Sequence, residues 1–336
     1  LPMSEKIDMA LQLEQRAKSY DPKIVNVPSS SYSEKSREIL IINSLGLEAS
    51  YVTNGAGRAI DVMAQQEGET KSAYKIKTSR VLEELNCFEL ADAAAKEGVD
   101  LLGAKNISTG HYPIVFTPTT GRQILGAFWP MFSAKNVQEA KSLLAGKLMH
   151  QIAVPAVSLT DHPLLNKGLA SRPFDDEGTP SLITPVIKEG RLQTYLHNCT
   201  SARKDRLQST AHARRVSIKG FLEIAPTNFV LSSTDQLCSP QDMLYKENKG
   251  IVVVNLHGLH SGTSAISGDF SLGAQGFYFQ EGELQYPVHN FTIAGNFLEL
   301  LRNIVAIGDD LELGPSSVGG TSICAPSFLV SSLSIS

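Results

Sequence analysis

Apolar positions recur at helical spacing twice in the first hundred residues. Ile7, Ala10, Leu11, Leu13 and Ala17 line one face of 3–20, and Val81, Leu85, Phe88, Leu90, Ala93, Ala94, Val99 and Leu102 line one face of 80–102. Gly103 supplies a stop for the second helix. Between the two, the period shortens. Residues 38–42, 47–53 and 58–65 read as short strands. They are separated by the turn-forming runs Asn43-Ser44-Leu45-Gly46 and Asn54-Gly55-Ala56-Gly57, which predicts an antiparallel meander.

A domain boundary is expected within 104–111. After it, 113–116 reads as a strand. Residues 121–132 read as a helix capped by Thr119 or Thr120 and ended or kinked at Pro130, and 136–150 as a further helix. Beyond 151 short strands and loops dominate. Ile187-Lys188-Glu189-Gly190-Arg191-Leu192 and Phe279-Gln280-Glu281-Gly282-Glu283-Leu284 are two hairpin signals of the same form. Residues 295–307 predict a late helix and 328–335 a closing strand. The fold class is α+β. An N-terminal helix and antiparallel-sheet domain over 1–106 is followed by a mainly antiparallel β domain with a few helices over 107–336.

Composition narrows the function classes. With 42% apolar and 19% charged residues the chain can bury a sizeable core, so it is not a disordered protein. The 30 basic and 34 acidic residues give a net charge of -4, which argues against a chain built as a whole to coat nucleic acid or an anionic membrane. The longest apolar runs, such as 39–42 and 251–254, fall far short of the roughly 20 residues that span a bilayer. The first residues show no signal-peptide core. A cytoplasmic protein with no membrane partner is expected. Cys87, Cys199, Cys238 and Cys324 are far apart and form no C-x-x-C, so neither a disulfide framework nor a zinc ribbon is signalled.

None of the eight histidines is followed by glutamate, so the H-E-x-x-H constellation of a zinc peptidase is absent from the sequence. The nearest substitute is His257-Gly258-Leu259-His260, with His289, Asp269 or a cysteine as further ligands. That pattern fits either a non-standard metal site or a glycine-rich turn. Gly258-Leu259-His260-Ser261-Gly262 is out of register with a G-x-S-x-G nucleophile elbow, and no phosphate-binding glycine loop occurs. Arg203, Lys204, Arg206, Arg214, Arg215 and Lys219 form a basic stretch around His212, either an anion-gripping loop or a solvated surface. Gly268 to Gly276 is dense in glycine and small residues. Such a segment suits a cleft wall that accepts an extended peptide by strand addition, or a tight bulge. Candidate cleft residues are His257, His260, Ser261, Asp269 and Arg203. No catalytic residue and no metal ligand is assigned.

Four stretches in one order carry a family resemblance: Ser171-Arg-Pro-Phe-Asp-Asp-Glu-Gly-Thr-Pro180, Thr194-Tyr-Leu-His-Asn-Cys-Thr-Ser-Ala-Arg-Lys204, Ser267-Gly-Asp-Phe-Ser-Leu-Gly-Ala274 and Gly282-Glu-Leu-Gln-Tyr-Pro-Val-His-Asn-Phe-Thr-Ile-Ala-Gly-Asn296. From about residue 35 to its end the chain resembles the TldD/PmbA family, also called modulators of DNA gyrase, which comprises metallopeptidases and their partner subunits. Family members carry a further N-terminal portion, so the chain is expected to be truncated at the front. One branch of the family has an H-E-x-x-x-H zinc helix and a cysteine ligand near its C-terminus. The other, PmbA or TldE, lacks them. The zinc helix would fall on 121–130, where Leu125, Gly126 and Pro130 stand at about the places of the two histidines and the glutamate. Cys324 lies in what reads as the approach to the closing strand. The resemblance therefore implies a metal-free subunit of a complex that cuts unfolded peptides. It would act as a heterodimer with a TldD-type subunit that carries the zinc, or as a homodimer. The alternatives are a stand-alone metallopeptidase using His257 and His260, and a non-enzymatic protein that binds DNA gyrase or, less in keeping with the net charge, nucleic acid.

Overall fold

In the computed structural model, which describes residues 1–215, 217, 219–316 and 320–336, the first hundred residues form one layer of sheet under one layer of helix. Strands β1 (Ile24–Ile42), β2 (Glu48–Gln66) and β3 (Glu69–Ser79) make an antiparallel sheet in that order. Helices α1 (Met3–Lys18) and α2 (Cys87–Asp100) pack on one of its faces. Ile60, Val62 and Ala64 alternate toward the helices and meet Leu13, Ala17, Ala91, Ala94 and Ala95 in a closed core. The alanine-lined face of α2 lets it sit close to the sheet: a Cβ on Gly98 would be 3.3 Å from Val62 Cγ2. Arg16 clamps Asp92 with two bonds of 2.7 Å, joining the helices.

Two expectations change here. The predicted turn at 54–57 lies inside β2, with Gly55 opposite Lys35 and Gly57 opposite Ser33. Turn chemistry permits a reversal but does not impose one, and uninterrupted cross-strand pairing wins. The second helix starts at Cys87, not 80, because Asn86 Oδ1 accepts the Phe88 amide at 2.9 Å and caps it there. The consequence for shape is large. Strands of 19 residues run about 60 Å at roughly 3.3 Å per residue, whereas α1 with its 16 residues covers about 24 Å. The β1–β2 hairpin therefore reaches beyond its helices as an arm.

The remainder holds α3 (Pro118–Phe128), α4 (Ala134–Gln138), α5 (Cys199–Lys204), α6 (Pro240–Lys246) and α7 (Phe297–Arg302) among thirteen further strands of the described residues. A five-stranded sheet has the order β15 (Ser322–Cys324), β10 (Asn228–Ser233), β5 (Val157–Asp161), β6 (Thr184–Lys188), β7 (Arg191–Leu192). A short hairpin joins β8 (Ala213–Arg215) to β9 (Leu222–Ile224). The larger sheet runs β13 (Glu283–Asn296), β12 (Asp269–Gln280), β11 (Lys249–His257), β4 (Gly110–Phe116), β16 (Phe328–Ile335), β14 (Ile304–Ile307). Its last strand closes it. β16 pairs with β4 along one edge, and its end, Ser334 and Ile335, pairs with Ala294 and Ile293 of β13 on the other. Five strands thus form a ring filled by Ile114, Phe116, Val253, Leu272, Ile293 and Phe328. Pairing is mainly antiparallel, with parallel pairs at β4–β11 and β10–β15.

Both predicted Glu-Gly hairpins form, with positive φ at each member: 51° and 75° at Glu189 and Gly190, 53° and 79° at Glu281 and Gly282. The 136–150 helix does not. It stops after α4, and the chain turns through left-handed conformations at Ala140, Gly146 and Met149. The late helix is the six-residue α7 between two strands. Thr117, not Thr119 or Thr120, caps α3, accepting the Thr120 amide, with Pro118 in the first turn. No helix among the described residues is long and apolar enough to cross a membrane.

The glycine-rich stretch is strand β12, and its closest approach is internal. A Cβ on Gly276 would stand 2.1 Å from the Val252 carbonyl oxygen, at a point where both neighbouring ladders slip register. The bulge reading therefore explains Gly276. Gly276→Ala is expected to destabilise the protein by about 2–3 kcal/mol, within the range for overpacking. Gly273→Ala, whose Cβ would meet only His257 Cβ at 3.5 Å, should change little. Paired denaturant unfolding curves test this, and equal stability of both variants would rule out the close contact.

Candidate functional site

The position that the resemblance gives to a zinc helix is α3. Leu125 is 2% exposed and packs in the barrel core, Gly126 faces Ile323 Cγ1 at 3.6 Å from where its Cβ would be, and Pro130 lies in the 3-10 turn after the helix. None of the three carries a ligating atom. Ile323 turns toward the helix, so Cys324, the next residue of β15, points the other way. It is fully buried, and burial raises its thiol pKa. These residues do not fit a zinc ion. Among the described residues no three His, Cys, Asp or Glu side chains are grouped so as to hold a metal.

The five cleft candidates do not converge on one site. His257 ends β11 and lines a polar groove of about 370 Å³ between the barrel and the outer face of the N-terminal sheet. Asn255, Gln275 and Asn290 face Asp61, Ser72 and Tyr74 across it. His260 and Ser261 belong to the turn that follows. There the Ser261 and Gly262 amides donate to the Gly258 carbonyl at 3.1 and 2.7 Å, which is the glycine-turn reading. Asp269 opens β12 and accepts a bond from Asn296 Nδ2 at 2.9 Å, which holds its carboxyl below the usual range. Arg203 sits apart, exposed on α5, which packs against α4.

The first two motif stretches do converge. Asp175 is fully buried. Its Oδ1 takes the amides of Glu177 and Thr179, its Oδ2 takes that of Ala213, and burial raises its pKa. The acidic run 175–177 is thus an ordered turn. Glu177 in turn accepts the Cys199 amide at 2.7 Å at the start of α5, whose cap is Asn198. Beneath them lies Asp161, 0% exposed, which accepts the Thr227 amide at 2.6 Å and its hydroxyl at 2.7 Å and meets His212 Nε2 at 3.0 Å. His212 Nδ1 lies 2.8 Å from Thr210 Oγ1, which also takes the His197 amide at 2.7 Å. His197 Nδ1 is 3.3 Å from Ser201 Oγ, and its Nε2 is buried without a partner among the described residues. Sequence reading missed Asp161, Thr210 and Thr227. No spacing links them, since Asp161 and Thr227 are 66 residues apart.

Comparison with known proteins settles the family. Residues 1–102 match the family described as PmbA/TldA metallopeptidase central domain, and 109–336 its C-terminal domain. The chain belongs to the PmbA/TldD family. It is 32% identical over 309 residues to "Metalloprotease PmbA" of Escherichia coli O157:H7, covering 92% of this chain and 66% of that protein. It is 23% identical over 334 residues to a TldD homologue of Haemophilus influenzae. A Thermotoga maritima structure solved as a candidate modulator of DNA gyrase superposes with a TM-score of 0.92 at 36% identity, covering all of this chain and 75% of the other. TldE of Thermococcus kodakarensis shares the fold, with a TM-score of 0.91 at 20% identity and the same coverage. The chain spans 66% of the length of the curated PmbA relative.

In this PmbA/TldD family member the buried polar layer is also a pH-sensitive one. Burial lowers the His197 pKa from 6.5, so the fold holds this imidazole neutral. A base whose folded pKa is depressed contributes stability above the unfolded value, and this is lost as pH falls below about 6.5, where only the unfolded chain takes the proton. Urea midpoints of wild type should therefore drop more steeply between pH 7.5 and 5 than those of His197→Leu. Parallel pH profiles would show that His197 does not report on this layer.

Proposed function

We propose that this chain is the metal-free subunit of a TldD/TldE-type peptidase that degrades or processes unfolded peptides. The single observation that carries the reading is the apolar filling of α3: Leu125 is sunk in the core at the place where the family's active branch has a ligand. The comparisons support it, with 32% identity to PmbA against 23% to a TldD homologue. Peptide binding would use main-chain pairing along strand edges, which makes little demand on side chains and tolerates many sequences. β1, β3, β7, β14 and β15 are edge strands among the described residues, as are both strands of the β8–β9 hairpin. The Lewis acid and its activated water would come from a TldD-type partner carrying zinc. A homodimer would lack both.

The rival readings draw less support. His257 and His260 lie on a strand end and a turn with no third ligand among the described residues. The basic stretch is partly engaged: Arg214 donates to Thr321 Oγ1 at 3.0 Å, and Arg215 to the Gly220 carbonyl at 2.6 Å.

The purified chain is expected to cleave no unfolded peptide and to contain no stoichiometric zinc. Mixing it with a TldD-type subunit should restore cleavage, and the zinc should copurify with that partner. Chelator-sensitive cleavage by this chain alone would reject the proposal. Loss of metal in a His257→Ala/His260→Ala variant would move the site to those residues.

A further inference from the structure

Where the β1–β2 arm lies against the 171–180 motif, Arg80, Arg172 and Arg214 gather near Asp175 and Asp176 without an ion-pair contact among the described residues. Leu47 at the end of the arm packs on Gly178, and Tyr51 sets its ring edge-on to Phe174 with centroids 5.1 Å apart. Arg172, two residues before Phe174, is only 4% exposed. Its Nη2 donates to the Ala211 carbonyl at 3.3 Å, and its buried Nε has no acceptor among the described residues. Arg80, just past β3, gives Nε to the Gly168 carbonyl at 2.9 Å and Nη2 to that of Ser171 at 3.2 Å. Among the described residues Arg214 reaches a hydroxyl, Thr321 Oγ1. Carbonyls and hydroxyls are thus the partners of all three guanidiniums, and none takes part in an ion pair of the described residues.

These groups share one field. Arg172 and Arg37 both act on Arg214, and Arg172, Arg37 and Arg80 all act on the Tyr51 phenol, with Asp176 opposing them at both groups. The acids nearby are already engaged. Asp175 has both oxygens on backbone amides, and Asp176 Oδ2 accepts the Arg215 amide at 2.5 Å. A buried cation without a counter-ion is costly to keep, and an anion of matching shape relieves it.

We infer that this seam is a carboxylate-binding site that takes the C-terminal carboxylate of an extended peptide, with Arg172 and Arg214 as its anchors. The planar guanidinium fork matches a carboxylate. The Tyr51–Phe174 pair gives the last side chain of the peptide an apolar wall. β1, which carries Arg37, is an edge strand, so a peptide added along it travels the arm toward the seam. The inference deepens the peptide-binding reading and rests on it.

The test compares two unstructured peptides of one sequence, one ending in a free carboxylate and one in an amide, titrated into the full chain by calorimetry. The free acid is expected to bind wild type at least tenfold more tightly. That preference should fall to twofold or less in Arg172→Met and in Arg214→Gln, with melting curves reporting whether each variant folds. Equal binding of acid and amide to wild type, which needs no variant, would overturn the carboxylate site and leave the peptide reading standing. A preference kept in both folded variants would also overturn it. Binding of neither peptide would defeat the peptide reading itself, and the carboxylate site with it.

Discussion

The ring of five strands closes through one element, β16, and most of what surrounds the sites follows from that closure. A sheet closed on itself has an inside that must be filled. Phe116 and Phe328 stack within it with centroids 4.9 Å apart, one from the first strand of the ring and one from the last. α3 then has a single way to lie, with Ile124, Leu125 and Phe128 turned inward. A Cβ on Gly121 would stand 2.9 Å from Phe328 Cε1, so the helix rests directly on the closing strand. The orientation of α3, and with it what the segment can offer to chemistry, is fixed by packing some two hundred residues downstream.

The same logic explains the polar layer. Asp161 ends β5, Thr227 precedes β10 and His212 precedes β8, and one buried carboxyl group joins them. Leaving any of these donors unpaired would cost about 1–3 kcal/mol, so the three segments are held in one arrangement. That arrangement supports the 171–180 turn, and the turn in turn receives the arm of the other domain through Leu47, Tyr51 and Arg80. The two bodies are thus linked at the motif as well as by the chain between them, where Lys105 pairs with Pro287 and His289.

Elements dictated by local chemistry were legible in the sequence. The Glu-Gly hairpins demand two positive φ values that few other pairs supply, and α1 and β16 follow from the apolar period alone. Elements decided by distant partners were not. Asn54 to Gly57 carries strong turn chemistry, yet β1 pairs straight across it. Residues 136–150 have helical composition, but the chain bends to lay Leu144 into the core, where its carbonyl accepts the Tyr195 hydroxyl at 2.5 Å. The candidate site fared similarly. His257, His260, Ser261 and Asp269 are near one another in sequence, yet the fold spreads them over a strand end, a turn and the start of another strand, whereas Arg203 shares only polarity with them. Asp161 and the three arginines of the seam come from four separate segments, and only the fold assembles them.

The apolar filling of α3 has an energetic side as well. Burying a leucine side chain stabilises a fold by about 1.5–3 kcal/mol, and Leu125 makes that contribution among fully buried neighbours. A histidine in its place would forfeit it and leave ring nitrogens in a dry core, at about 1–3 kcal/mol for each unpaired group. Gly126 and Pro130 add a backbone packed against Ile323 and a helix end that cannot extend. Restoring a zinc site would therefore require emptying part of the core as well as adding ligands. On the proposed reading the chemistry left to the chain is recognition, in which fixed cations and open strand edges would hold a substrate for another subunit to cut.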